Sequence, residues 1–180
     1  LSLSKAGTDS ANFTLSSLST TSLAAGGSTT FTVTFAPGAT VTRNAVIRVA
    51  SNDFDENPFD IAVTGNGIAP EIAIEQPAGT DLIDGTATTA FGSVLLGGNI
   101  TQTYTVRNMG TAPLTGLSLS KAGTNTADFM LGTLAVTTLN PGESTTLDVT
   151  FVPTVIGSRT AILRVASTDS DENPFDINLS

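Results

Sequence analysis

Carboxylates gather in two short stretches, SNDFDENPFD at Ser51–Asp60 and STDSDENPFD at Ser167–Asp176. Asp53, Asp55, Glu56 and Asn57 in the first, and Asp169, Asp171, Glu172 and Asn173 in the second, offer hard oxygen donors. Closely spaced donors of this kind suit calcium. The loop is not an EF-hand, however. Its sixth position is Pro58 or Pro174 where that loop requires Gly, and the twelfth position of the first copy is Thr64 rather than Glu. The competing reading is a hairpin tip whose Asp and Asn side chains bond their own backbone as Asx-turns. Calcium is thus the one cofactor the residues suggest, and otherwise none is expected.

Other chemistry is poorly supplied. There is no His and no Cys, which removes the commonest general base, the usual zinc ligands and every Ser-His or Cys-His dyad. The Gly65-Asn66-Gly67 stretch is a Gly-x-Gly, but no helix follows it to cradle a phosphate, so it reads as an interdomain turn. No carboxylate pair falls where a cleft is expected, so glycosidase chemistry has no support, and the chain reads as a non-enzyme. A net charge of −9 argues against nucleic-acid and anionic-membrane partners. No apolar run approaches the roughly 18 residues of a membrane span. Asn12, Asn99 and Asn178 each open an N-x-Ser/Thr sequon, a frequent chance match in a Thr/Ser-rich chain.

The acidic stretches belong to something larger. Residues 1–64 align with 117–180 without a gap, and about 36 of those 64 positions are identical. The eight residues LSLSKAGT stand unchanged at Leu1–Thr8 and Leu117–Thr124. A gapless echo of this length marks an internal repeat, with a period of about 116 residues. The expected organisation is residues 1–66 as the C-terminal part of a repeat lacking its first strands, and 67–180 as a complete repeat.

Within the repeat the apolar period is two. Leu147, Val149 and Phe151 alternate with Thr146, Asp148 and Thr150, as Phe31, Val33 and Phe35 do in the first copy. Ala161, Leu163 and Val165 share a face, as do Phe175, Ile177 and Leu179, and Ile100, Tyr104 and Val106. Such alternation predicts half-buried antiparallel strands. Gly, Asn, Asp and Pro fill the intervals with turn chemistry. The fold class is therefore all-β, tandem immunoglobulin-like antiparallel sandwiches. The expected core comprises Phe91, Tyr104, Leu119, Phe129, Leu147, Phe151, Leu163 and Phe175. Arg48 and Arg164 face outward and are expected to pair with carboxylates across strands.

The segments FGSVLLGG, TQTYTVRNMGTAPLT, LNPGESTTLDVTFVPTVIGSRTAILRVAS and DENPFDI resemble the bacterial choice-of-anchor D repeats. These are similar to the wider group of immunoglobulin-like domains that includes the ASPM/SPD-2/Hydin modules. The resemblance implies tandem sandwiches displayed outside a bacterial cell, with no catalysis. A structural stalk or fibre module is the leading expectation. A self-assembling filament subunit, completed by strand addition from a neighbour, is one alternative. An adhesin module binding a surface glycan or protein through pole loops is another, though one Tyr and no Trp leave few stacking faces for sugar. The expected partners are neighbouring repeats of the same or identical chains.

Two further expectations concern position. Lacking the counterpart of Glu71–Gly116, the first copy should leave Phe31, Val33, Phe35, Ile47 and Val49 on an open face with an unpaired edge. That face is covered by residues outside this stretch, is completed by another chain, or is disordered. In a sandwich, moreover, the tip at Asp169–Asn173 should lie at the pole where the domain begins, beside Thr64–Pro70, where an ion would stiffen the joint.

Overall fold

The structure is a computed structural model that describes residues 1–180. It has no α-helix, only strands, loops and two single 3-10 turns. Two compact units divide the chain, Leu1–Ile68 and Ala69–Ser180.

The first unit holds β1 (Ser2–Ala6), β2 (Phe13–Leu15), β3 (Val33–Phe35), β4 (Thr42–Ala50) and β5 (Phe59–Asn66). One sheet runs β1-β4-β5 and the other is the β2-β3 pair. The second unit holds β6 (Ile72–Glu75), β7 (Thr88–Thr89), β8 (Ile100–Asn108), β9 (Ser118–Ala122), β10 (Phe129–Leu131), β11 (Ser144–Phe151), β12 (Ala161–Ala166) and β13 (Phe175–Leu179). Its sheets run β10-β11-β8-β6 and β7-β13-β12-β9. Every pairing is antiparallel except β7 with β13.

Period-two sequence becomes two-layer packing directly. Alternate residues of β11, β12 and β13 are buried, and they meet Ile72, Ile74, Tyr104 and Val106 from β6 and β8. Phe91, Phe129 and Phe151 form an aromatic knot, with ring centroids 5.6 Å apart for Phe91–Phe129 and 4.9 Å for Phe129–Phe151. Offset and edge-on contacts of this kind add about 0.5–1.5 kcal/mol each beyond area burial. Burial pushes the Tyr104 hydroxyl up to about 12, so the side chain stays neutral within the core.

The repeated LSLSKAGT has a physical job. Its first residues form β1 and β9, and its lysine crosses between layers. Lys5 Nζ donates to the Phe13 carbonyl and Lys121 Nζ to the Phe129 carbonyl, both at 2.5 Å. Each bond ties the edge strand of one sheet to the edge strand of the other. Gly7 and Gly123 then turn the chain at φ of 99° and 96°, a left-handed conformation in which a Cβ is strained.

Four expectations need correction. Ile100 shares a face with Tyr104 but lies at the strand end, past the core, and is exposed. Leu119 is only partly buried, because β9 is the outer strand of its sheet. Ile47 is fully buried rather than open, since it sits mid-strand between Lys5 and Ile61 in the central strand of its sheet. Gly65 and Asn66 are not a turn: they end β5, paired with Arg43 and Thr42. The Phe35 ring lies over Gly65, leaving no room for a side chain there.

Candidate functional site

Both acidic tips are built by their own side chains. In the second unit the Ser167 N–H donates to Asn173 Oδ1 at 3.1 Å, the Asp169 N–H to Ser167 Oγ at 3.0 Å and the Asp171 N–H to Asp169 Oδ1 at 3.4 Å. The first unit repeats the pattern through Ser51–Asn57, Asp53–Ser51 and Asp55–Asp53 at 3.0, 3.0 and 3.3 Å. The shared sequence therefore encodes a turn closed by Ser, Asp and Asn, and Asn57 and Asn173 commit their carbonyl oxygens to it.

What surrounds the two turns differs. Asp169 is buried, and its Oδ2 accepts the Ile72 N–H at 2.7 Å, which latches the tip to the first residue of β6. Glu71 thereby comes alongside: oxygens of Glu71, Asp169 and Asp171 all lie within 4.8 Å of one another. Glu71 is absent from the residues singled out in the sequence. The signal was present in the placement of the tip beside Pro70, whose next residue is Glu71. Asp53, by contrast, is exposed, and its carboxyl is held below the usual range first by hydrogen bonding with the Asp55 side chain, then by the Asp55 N–H.

In the second unit the electrostatics run the opposite way. Desolvation, then the charges of Asp169 and Asp171, raise the Glu71 carboxyl. Desolvation, then the charges of Glu71, Asp169, Asp84 and Asp171, raise Glu172. Chemically, this is an oxygen donor set for a hard cation, although three carboxylates fall short of the six to eight oxygens calcium takes. One of Asp169's oxygens is already engaged by backbone.

A consequence follows for stability. With folded-state values above the unfolded ones, the folded unit holds protons more tightly over the window just above the ordinary glutamate range. These two groups therefore favour folding below that window and cost stability as pH rises through it. Glu71→Gln should raise the melting temperature of the second unit at pH 7 by about 1–4 °C, exposed charge pairs being worth up to about 1 kcal/mol each. The gain should vanish near pH 4, and a variant that melts lower at pH 7 would refute the repulsion.

The remaining charges hold loops. Arg164 pairs with Asp176 and Arg48 with Asp60, each at 3.3 Å across adjacent strands. Arg107 Nη1 meets Glu75 Oε1 at 2.6 Å, while Glu75 Oε2 accepts the Gly79 N–H at 2.7 Å and closes the turn after β6. The two repeats also trade a carboxylate. In the first, Arg43 pairs with Asp9 at 3.0 Å, and Asn12 Oδ1 accepts the Gly38 N–H. In the second, Asn125 replaces Asp9 and Asp128 replaces Asn12; Asp128 accepts the Thr154 N–H and hydroxyl at 2.9 and 2.7 Å and lies 3.6 Å from Arg159. The arginine is kept and its partner moves by three residues.

No constellation of nucleophile, base and orienting group accompanies these pairs. A shallow groove between Gly92–Leu96 and Pro153–Arg159 exposes Leu95, Leu96, Val155 and Ile156, and no Asp or Glu side chain lines it. Of the sequon asparagines, Asn12 and Asn178 donate to backbone carbonyls.

A family model described as ASH, abnormal spindle-like microcephaly-associated, ASPM-SPD-2-Hydin, matches residues 83–173. No curated protein sequence matches the chain. Among solved structures, one titled as a protein of unknown function from Porphyromonas gingivalis W83 aligns at 14% identity with a TM-score of 0.44, over 77% of this chain and 89% of that one.

Proposed function

The chain belongs to the ASH (ASPM-SPD-2-Hydin) family, and from that membership we propose a spacer role: a non-catalytic, tandem immunoglobulin-like module of a bacterial surface protein, holding a distal part away from the cell. One observation carries the reading. The sequence repeats over 64 residues, and its complete unit has a filled core with no cleft in which catalytic groups converge. Repetition adds length without adding chemistry. A spacer is defined by reach rather than by surface. In cells displaying the intact protein, exchanging Ala69–Ser180 for an unrelated sandwich of equal length should leave surface labelling and adhesion unchanged. Lost adhesion with retained display favours the adhesin reading, to which the exposed Leu95, Leu96, Val155 and Ile156 point. Labelling found only inside the cell overturns the surface location.

Calcium is a second reading, favoured by the convergence of Glu71 on Asp169 and Asp171. On that reading millimolar calcium raises the melting temperature of the second unit, and Glu71→Gln abolishes the rise. Identical melts in calcium and in chelator leave the tip as a latch alone.

A further inference from the structure

The stretch that joins the two units is fastened at both of its ends. On the first unit, the Gly67 N–H donates to the Val41 carbonyl at 3.1 Å, one residue past the end of β5. Gly67 is buried, and a Cβ built there would stand 1.9 Å from the Ala39 carbonyl oxygen. Only glycine lets the backbone lie this close to the loop at 37–41.

On the second unit, the Ala69 carbonyl accepts the N–H groups of Thr111 and Ala112, at 2.8 and 3.0 Å. The Glu71 carbonyl accepts the Met109 N–H at 2.7 Å, and the Ala69 N–H reaches Thr111 Oγ1 at 3.3 Å. Gly110 permits this approach, since its Cβ would meet the Ala69 oxygen at 2.4 Å.

One residue is left between the two clamps. Neither the N–H nor the carbonyl of Ile68 joins a hydrogen bond, and its side chain is 62% exposed. The neighbours add little slack. Planar peptide bonds fix the links on either side, and Pro70 confines Ala69 to extended backbone. What remains free is the φ and ψ of Ile68, a β-branched residue that itself favours extended backbone.

We propose that Ile68 is a pivot: movement of one unit against the other passes through the two torsions of this residue. The linker is then a joint and not a tether. The Gly65-Asn66-Gly67 stretch gains its meaning from this, its second glycine being the clamp on the first unit. Such a pivot serves a spacer and an adhesin alike, so the inference goes beyond the proposed function and does not depend on it.

Electron-spin distance measurements on the 180-residue chain test the joint. The chain has no cysteine, so Asn52→Cys and Thr133→Cys, both at exposed positions, place one nitroxide on each unit without background. Three glycines inserted between Ile68 and Ala69 keep both clamps and add a flexible stretch, which should broaden the distance distribution at least about twofold. Gly67→Ala should broaden it too, by lifting the linker off the first unit, with the amides of β4 and β5 still protected. In hydrogen exchange, the amides of Gly67, Thr111 and Ala112 should exchange at least about 10-fold more slowly than that of Ile68. Equal widths for the parent and the glycine insertion overturn the pivot. So does a folded Gly67→Ala chain as narrow as the parent, or exchange at Gly67 and Thr111 as fast as at Ile68.

Discussion

An Asn108→Ala chain is expected to lose about 3–5 kcal/mol from the second unit, out of the 5–15 kcal/mol typical of a domain. Asn108 is completely buried at the end of β8. Its Nδ2 donates to the carbonyls of Ala112 and Leu139, at 2.8 and 2.9 Å. Its Oδ1 accepts the N–H of Gly110 at 3.0 Å and of Glu71 at 3.4 Å. One amide thus satisfies four backbone groups from three separate segments. Truncation strands the Gly110 and Glu71 N–H groups and the Ala112 carbonyl, while the Leu139 carbonyl keeps the Leu114 N–H, and an unsatisfied buried group costs about 1–3 kcal/mol. Asn108→Asp should be no better, because it sets a carboxylate against two carbonyls. Denaturant unfolding reads the result as a lowered midpoint with an unchanged slope. A loss below about 1 kcal/mol would mean that water replaces the amide.

The second large effect is a contrast. Phe175→Ala should destabilise its unit by about 3–5 kcal/mol, the range for emptying an aromatic site in a packed core. Phe59→Ala should cost about 1 kcal/mol or less. The two residues follow the same DENP, and the side chains differ only in being 1% and 50% exposed. Equal losses in differential unfolding of the two variants would show that the first unit buries its face in solution.

Those two phenylalanines also mark how far sequence carries. Strand existence and inward face were legible for β11, β12 and β13, because an alternating pattern has one way to lie on a core. The turn at Ser167–Asn173 was legible too, since Ser, Asp and Asn next to a hairpin bond locally. Burial was not. It depends on which segments arrive from elsewhere, and identical DENPF motifs meet different neighbours. The same limit hid Glu71, whose part is set by a hydrogen bond between Asp169 and Ile72, 97 residues apart. Leu114, Leu117 and Leu139 were missed as core because they sit in loops with no period to read.

The parallel pairing of β7 with β13 bears on how the second unit meets a pull along the chain. Between Gly85 and Ser180, four backbone bonds join the two segments: Gly85 N–H to Asp176, Asn178 N–H to Ala87, Ser180 N–H to Thr89 and Phe91 N–H to Ser180, at 2.7–3.0 Å. Tension entering at Gly85 and leaving at Ser180 drags two strands of like direction past each other, so all four rungs bear it together and part together. An antiparallel hairpin in the same place would unzip one rung at a time, at lower load.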